Sequence, residues 1–207
     1  MNIQTGETPF WYMILDGWFN EQIVQAASKS WPPFHWPEWF VYNDEGKQVK
    51  SVCWKWDLFS MPVRELLGTS MSLPMKTFTG KGDLVPDGTL HGAGMSSMHH
   101  GCVLARHLDH DRHPHMGRKR EYTTVLFLGD DWKEGYGGEL VLGDQNDDVT
   151  ICPAQNRLVI FRNMDWSFHQ VKQLDCPFNY QRKALQVFYY GNFMEESESK
   201  RKRAIFL

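Results

Sequence analysis

The segment Ala105–His115 reads ARHLDHDRHPH, with four histidines and two aspartates between His107 and His115. Imidazoles and carboxylates can ligate a metal, line a solvated loop or face an anion, so composition leaves three chemistries open. Spacing narrows them. If Gly101–Leu108 is a strand, Val103, Ala105, His107 and Asp109 point to one side and Leu104, Arg106 and Leu108 to the other. An imidazole and a carboxylate two residues apart on one face can supply adjacent ligands to one ion. The motif is short, and in isolation a surface histidine beside a turn-capping aspartate accounts for it better.

Two residues downstream extend the pattern. A third ligand would complete the two-histidine, one-carboxylate set that holds ferrous iron while leaving three positions open. Outside the His-rich stretch 91–115 the chain has only His35 and His169. His35 lies between Trp-Pro segments, which favours packing. His169 stands in the short run FHQV after RLVIF, where a neighbouring strand can carry it to the metal. Arg182 opens RKALQVFYY and shares a face with Ala184, Gln186, Phe188 and Tyr190. If that face is interior, the cation needs an anion, and a guanidinium fork suits a carboxylate. An arginine at a strand end that simply reaches solvent is the alternative.

These residues need a scaffold to bring them together. From residue 80 onward the chain becomes short apolar runs separated by Gly, Asp and Pro: Gly101–Leu108, Tyr122–Leu128, Glu139–Leu142, Val149–Cys152, Arg157–Phe161, Phe168–Val171 and Arg182–Tyr190. Such spacing predicts a β-sandwich or small barrel. Upstream the pattern differs. Asn20 is placed to cap a helix bearing Phe19, Ile23, Ala26 and Ala27, which stops before Trp31-Pro32-Pro33, and a second helix is expected after Ser60 with Val63, Leu66 and Leu67 on one face. The Trp- and Pro-rich segment between them reads as strand and turn laid over the core, and GKGDLVPDGTLHGAG as a loop. One domain is therefore expected over 1–207: a helical, aromatic flanking part over 1–80, a β core over 80–192 and a tail over 193–207. The tail, ending SESKRKRAIFL, reads as frayed and solvated.

Composition sets the outer limits. A 207-residue chain with 42% hydrophobic and 23% charged residues suits one soluble domain, and its net charge of −3 argues against a chain-wide nucleic-acid surface. No segment has the form of a secretory signal or a bilayer span, so a cytoplasmic protein without a membrane partner is expected. The four cysteines form no CxxC pair and are expected to be reduced and buried.

Taken in order, HLD (His107–Asp109), REYTTVLFLGDDWKEGYGGELVL, NRLVIF, FHQV and RKALQVFYY resemble the iron(II)- and 2-oxoglutarate-dependent dioxygenases, most closely their prolyl 4-hydroxylase-like branch. The resemblance implies a mainly β fold, a double-stranded β-helix or jelly roll, with flanking N-terminal helices. It implies His107, Asp109 and His169 as ligands of Fe(II), and Arg182 as the partner of the distal carboxylate of 2-oxoglutarate. Gly137 and Gly138 would permit close backbone approach near the site. Arg120 matches an arginine that in some relatives lies near the substrate entrance, with a strand-start salt bridge as the equal alternative. His91, in the loop expected over the iron, is a second candidate substrate contact. Where many relatives carry a tyrosine whose hydroxyl bonds the co-substrate, this chain has Phe127, and Thr123 on the same face is the candidate replacement. Gly129 stands where an asparagine is frequent.

The implied reaction consumes 2-oxoglutarate and O2, with ascorbate as an optional reductant, releases succinate and CO2, and hydroxylates an unactivated C–H bond. Asp109, a carboxylate rather than a small residue, favours hydroxylation over halogenation. The substrate would be a prolyl residue or an amino-acid-like small molecule. Two rivals stand beside this reading. One is a cupin-like metalloenzyme that does not use 2-oxoglutarate and needs no cation at Arg182; the other is a non-catalytic jelly-roll binding module. His110, Asp111, His113 and His115 read as a polar rim leaving the strand, and an accessory zinc site among the surplus histidines has no closed spacing to support it.

Overall fold

The computed structural model describes every residue except Glu45 and Asp130. The chain opens with a hairpin of β1 (Asn2–Gly6) and β2 (Tyr12–Asp16). Helix α1 (Glu21–Lys29) starts where expected, because the Asn20 side chain accepts from the backbone amides of Gln22 and Ile23 and so satisfies donors that the helix cannot. Strands β3 (Phe40–Asp44) and β4 (Gln48–Cys53) form a second hairpin inside the Trp-rich segment. Helix α2 (Met61–Met71) follows Ser60 and buries Val63, Leu66 and Leu67, each worth about 2 kcal/mol in apolar burial. A short α3 (Met75–Thr79) leads to β5 (Val85–Pro86) in the expected loop.

The remaining strands are β6 (Gly94–Met98), β7 (Val103–Leu108), β8 (Arg118–Phe127), β9 (Leu140–Leu142), β10 (Val149–Ile151), β11 (Arg157–Arg162), β12 (His169–Val171), β13 (Arg182–Phe193) and β14 (Ile205–Phe206). They pair antiparallel in the order β1-β2-β11-β8-β13-β6-β4-β7-β12-β9-β10, with β14 beside β7, β3 beside β4 and β5 beside β13. The sheet curls into a jelly roll, and strand alternation shows how. Val125 and Phe127, Val159 and Phe161, and Ala184 face Leu140, Leu142 and Ile151 across the interior. The opposite faces of the same strands, through Leu126, Leu158, Ile160, Leu185 and Val187, bury against Val24 and Ala27 of α1 and Leu66 and Leu67 of α2. Central strands buried on both faces are why the sequence runs look continuously apolar.

The amino-terminal part is more than a helical cover. β2 pairs with β11, and β4 pairs with two strands in succession: Ser51–Cys53 with β6, then Gln48 and Val49 with β7. Lys50 falls at the crossing. The apolar run YMILD that forms β2 is only five residues and lies among aromatic neighbours, so its alternation carried little signal.

The expected frayed tail is not what the structure contains. β14 pairs with β7, Phe206 opposite His107, and Arg201 is buried. Arg201 donates to the Asp109 carbonyl (2.9 Å) and to Asp165 (2.7 Å), while the Asp111 carboxylate accepts from Ser199 Oγ and from the amides of Lys200 and Arg201. A charge run is solvated only when the fold offers it no complementary groups, and here two aspartates and a carbonyl lie across from it. All four cysteines are free, with Cys53, Cys102 and Cys176 buried. Among the described residues no helix is long and apolar enough to cross a membrane.

Candidate metal centre and its cavity

β7 and β12 are neighbours, and their register places His107 directly opposite His169, with ring centroids 4.3 Å apart. Each ring is fixed by the same local device. His107 Nδ1 lies 2.8 Å from the Ala105 carbonyl and His169 Nδ1 3.0 Å from the Ser167 carbonyl. A carbonyl only accepts, so each Nδ1 carries a proton and Nε2 is the atom each ring turns toward the other two residues. Those atoms lie 3.6 Å and 3.7 Å from the Asp109 carboxylate, too far to hydrogen bond with it but close enough to share an ion. Ligand atoms of the three residues fall within 4.8 Å of one another, the one such group found among the described residues.

The charges around Asp109 are arranged to keep it ionised. Burial works against the carboxylate, but Arg120, His169 and His107 outweigh it and hold its pKa well below the ordinary value. Arg120 is fully buried, sits on the face of Phe188 with its guanidinium carbon 3.6 Å from the ring centre, and reaches Asp109 Oδ2 at 2.8 Å. Burial opposes its charge too, yet Asp109 and Tyr190 raise its pKa. The Asn163 amide approaches Asp109 Oδ2 at 3.4 Å, and Thr123 Oγ1 donates to Asn163 Oδ1 at 2.9 Å, fixing which way that amide points. His169 is pushed down to about 4 by burial and then by His107, so it is a neutral imidazole, the form that ligates.

A cavity opens from this group, walled by Val125, Leu140, Phe161, Val171 and Phe188; Arg182 lines it away from the three residues, and Lys50 lines it within the electrostatic reach of both Asp109 and Arg182. Arg182 donates through Nε to the Gly138 carbonyl (2.6 Å) and lies over the Phe127 ring at 4.9 Å. Gly138 has φ +79, and a Cβ there would come within 3.1 Å of the Arg182 side chain; at Gly137, φ +68, it would collide with the Gln173 carbonyl. The glycine pair thus lets the backbone approach close enough to grip the guanidinium. Burial lowers Arg182 to about 10, with only Tyr180 and Glu139 acting at a distance to offset it. Among the described residues no carboxylate touches it. The donor set fits a divalent metal held by three residues, and the cavity fits a ligand that brings a carboxylate to Arg182.

Of the residues expected from sequence, His107, Asp109, His169, Thr123 and Arg182 converge on this cavity. Arg120 does not line it: the guanidinium is sealed behind Asp109 rather than at an entrance. His91 is exposed outside it, grouped with His110, His113 and His115 at ring distances of 5.6–6.1 Å. The polar-rim reading needs correction at two positions. His113 is buried, its Nδ1 accepting from the amides of His115 and Met116 and its Nε2 3.3 Å from buried Asp87; Asp111 is buried against the tail. His110 is half-buried and accepts from Arg120, as suits a ring lowered to about 3 by burial and by that cation; only His115 is exposed. His35, expected to pack, is exposed against Phe34. Sequence reasoning missed Lys50, Asn163 and Phe206, which stacks on His107 at 5.2 Å.

Comparison with known proteins agrees with this geometry. Residues 93–190 match the 2OG-Fe(II) oxygenase superfamily. No curated protein matches the chain. Among solved structures, a Pseudomonas putida prolyl-4-hydroxylase is similar with TM-score 0.62 at 16% identity, covering 87% of this chain and 92% of that one. A Trichoplax adhaerens prolyl hydroxylase, solved with a hypoxia inducible factor oxygen degradation domain peptide, gives 0.60 at 18% identity over 87% and 83%. HygX from Streptomyces hygroscopicus, solved with nickel, 2-oxoglutarate and hygromycin B, gives 0.56 at 10% over 87% and 82%. The shared feature is the fold.

Proposed function

We propose that this chain, whose residues 93–190 match the 2OG-Fe(II) oxygenase superfamily, hydroxylates an unactivated C–H bond with release of succinate and CO2. The observation that carries the reading is a single cavity with two imidazole Nε2 atoms and an ionised carboxylate at one end and a buried, anion-seeking Arg182 at the other. Iron(II), when bound, would supply activation of O2 coupled to oxidation of 2-oxoglutarate.

The chain's own residues do the rest. His107 and His169, each donating through Nδ1 to a carbonyl, present Nε2 to the metal, and Asp109 contributes the negative charge that keeps a divalent ion in place. Arg182 takes the co-substrate's remote carboxylate and so fixes the end bearing the 2-oxo acid toward the metal. The apolar walls exclude water that would otherwise quench the reaction. Arg182 also weighs against a cupin-like enzyme without 2-oxoglutarate, because such a site has no use for a buried cation.

For the substrate we favour a prolyl residue in a peptide, ahead of an amino-acid-like small molecule, because the Pseudomonas and Trichoplax proteins of similar fold are prolyl hydroxylases. Succinate formation, followed by mass spectrometry with Fe(II) across prolyl peptides and free amino acids, tests this. Stimulation by a prolyl peptide, with a gain of one oxygen atom in that peptide, is the expected result. Absence of 2-oxoglutarate binding by the metal-loaded protein would overturn the reading.

A further inference from the structure

The cavity holds a cation that the metal chemistry does not use. Lys50 sits where β4 leaves β7 and joins β6, and at that crossing its side chain turns into the space between the layers and lines the cavity with Arg182. Its Nζ lies 5.3 Å from the centre of the Tyr42 ring, and among the described residues it makes no ion pair. Two like charges in one half-buried cavity repel each other, and an apolar residue at position 50 would fold with less penalty. Asp109 is the strongest charge acting on Lys50 and offsets part of that repulsion, and an anion lying between Lys50 and Arg182 would offset the rest.

Which anion follows from the neighbours. Asp109 is already held by Arg120 and Asn163, so Lys50 is not needed as its counterion. Among the described residues lining the cavity Thr123 carries the one hydroxyl, and it donates its proton to Asn163. We propose that Lys50 is a second anchor for the carboxylate remote from the metal, acting with Arg182 so that the cavity selects a 2-oxo diacid over a 2-oxo monoacid. The assignment rests on the cavity being the 2-oxoglutarate site. The lowering of Lys50 to about 8, by burial and by Arg182 against the pull of Asp109, is the cost that the bound dianion removes.

Calorimetric titration of the full chain loaded with Zn(II), which gives no turnover, separates the possibilities. The probes are 2-oxoglutarate and 2-oxopentanoate, which lacks only the remote carboxylate. Lys50→Met is expected to weaken 2-oxoglutarate about tenfold while leaving 2-oxopentanoate within about twofold, and Lys50→Arg to restore most of the loss. A Lys50→Met protein that binds 2-oxoglutarate like the wild type overturns the proposal, as does equal loss of both ligands, which would assign Lys50 to the metal end or to folding. Should Lys50→Met not fold, the same comparison with Lys50→Gln decides. Wild-type protein that binds neither probe would overturn the functional reading itself, an outcome distinct from a variant that matches the wild type.

Discussion

The two ends of the cavity are built on opposite principles. At the metal end the protein answers its own polar groups: both Nδ1 atoms donate to carbonyls two residues back, and Asp109 is held by Arg120 and approached by Asn163. At the far end Arg182 has no carboxylate in contact among the described residues, and Lys50, which lines the same cavity, makes no ion pair and feels Asp109 as well as Arg182. The first is formed before any ligand arrives. The second holds buried cations that an anionic ligand would stabilise further. Ligand-free, the metal end is expected to be the rigid one and the cation end the one whose state reports occupancy.

The contrast can be broken at either end. The largest effect is expected from His107→Ala or Asp109→Ala, which should abolish 2-oxoglutarate-dependent succinate formation and stoichiometric metal binding; full turnover in either variant would remove the metal assignment. Arg182→Met should come next. Leaving a carboxylate unpaired in the cavity should weaken 2-oxoglutarate on the order of 10²-fold by calorimetry, with Zn(II) affinity unchanged. If metal affinity falls equally, the two ends are not separate.

Smaller effects sharpen the comparison. Asn163→Ala frees one side of Asp109 and should lower metal affinity roughly tenfold by chelator competition while sparing the far end. Affinity for 2-oxoglutarate should fall several-fold from pH 7 to 9. Lys50, lowered to about 8, loses its proton there, whereas Asp109 is held well below that window, His169 at about 4 and Arg182 near 10, and burial raises Tyr42. Lys50→Arg should flatten the profile. The smallest expected change is from Phe206→Ala, a few-fold faster metal release through a looser His107 ring, read by stopped-flow chelation.

How much of this was legible depends on range. Period-two alternation put His107 and Asp109 on one face, and a capping asparagine set the start of α1; both are local rules, and both hold. The pairing of His169 with His107 needed a family resemblance, since nothing near FHQV says which strand it will join. Lys50 was illegible for another reason. In QVKSVC a lysine reads as the solvent side of an edge hairpin, and only the handover of β4 between two partners turns it inward. Arg120 showed its charge but not its partner, which stands on the preceding strand's exit. The tail misled because net charge was weighed without the aspartates it would meet.

The hydrogen bond from Arg201 to the Asp109 carbonyl spans 92 positions of the chain, and Phe206 comes later still. During synthesis the ribosome therefore delivers two of the three proposed metal ligands long before the residues that back them. Until β14 pairs with β7, His107 and Asp109 lack Phe206 and Arg201 behind them. A chain ending before Arg201 is therefore expected to retain metal a few-fold less well than the full chain, which chelator competition on the two would measure.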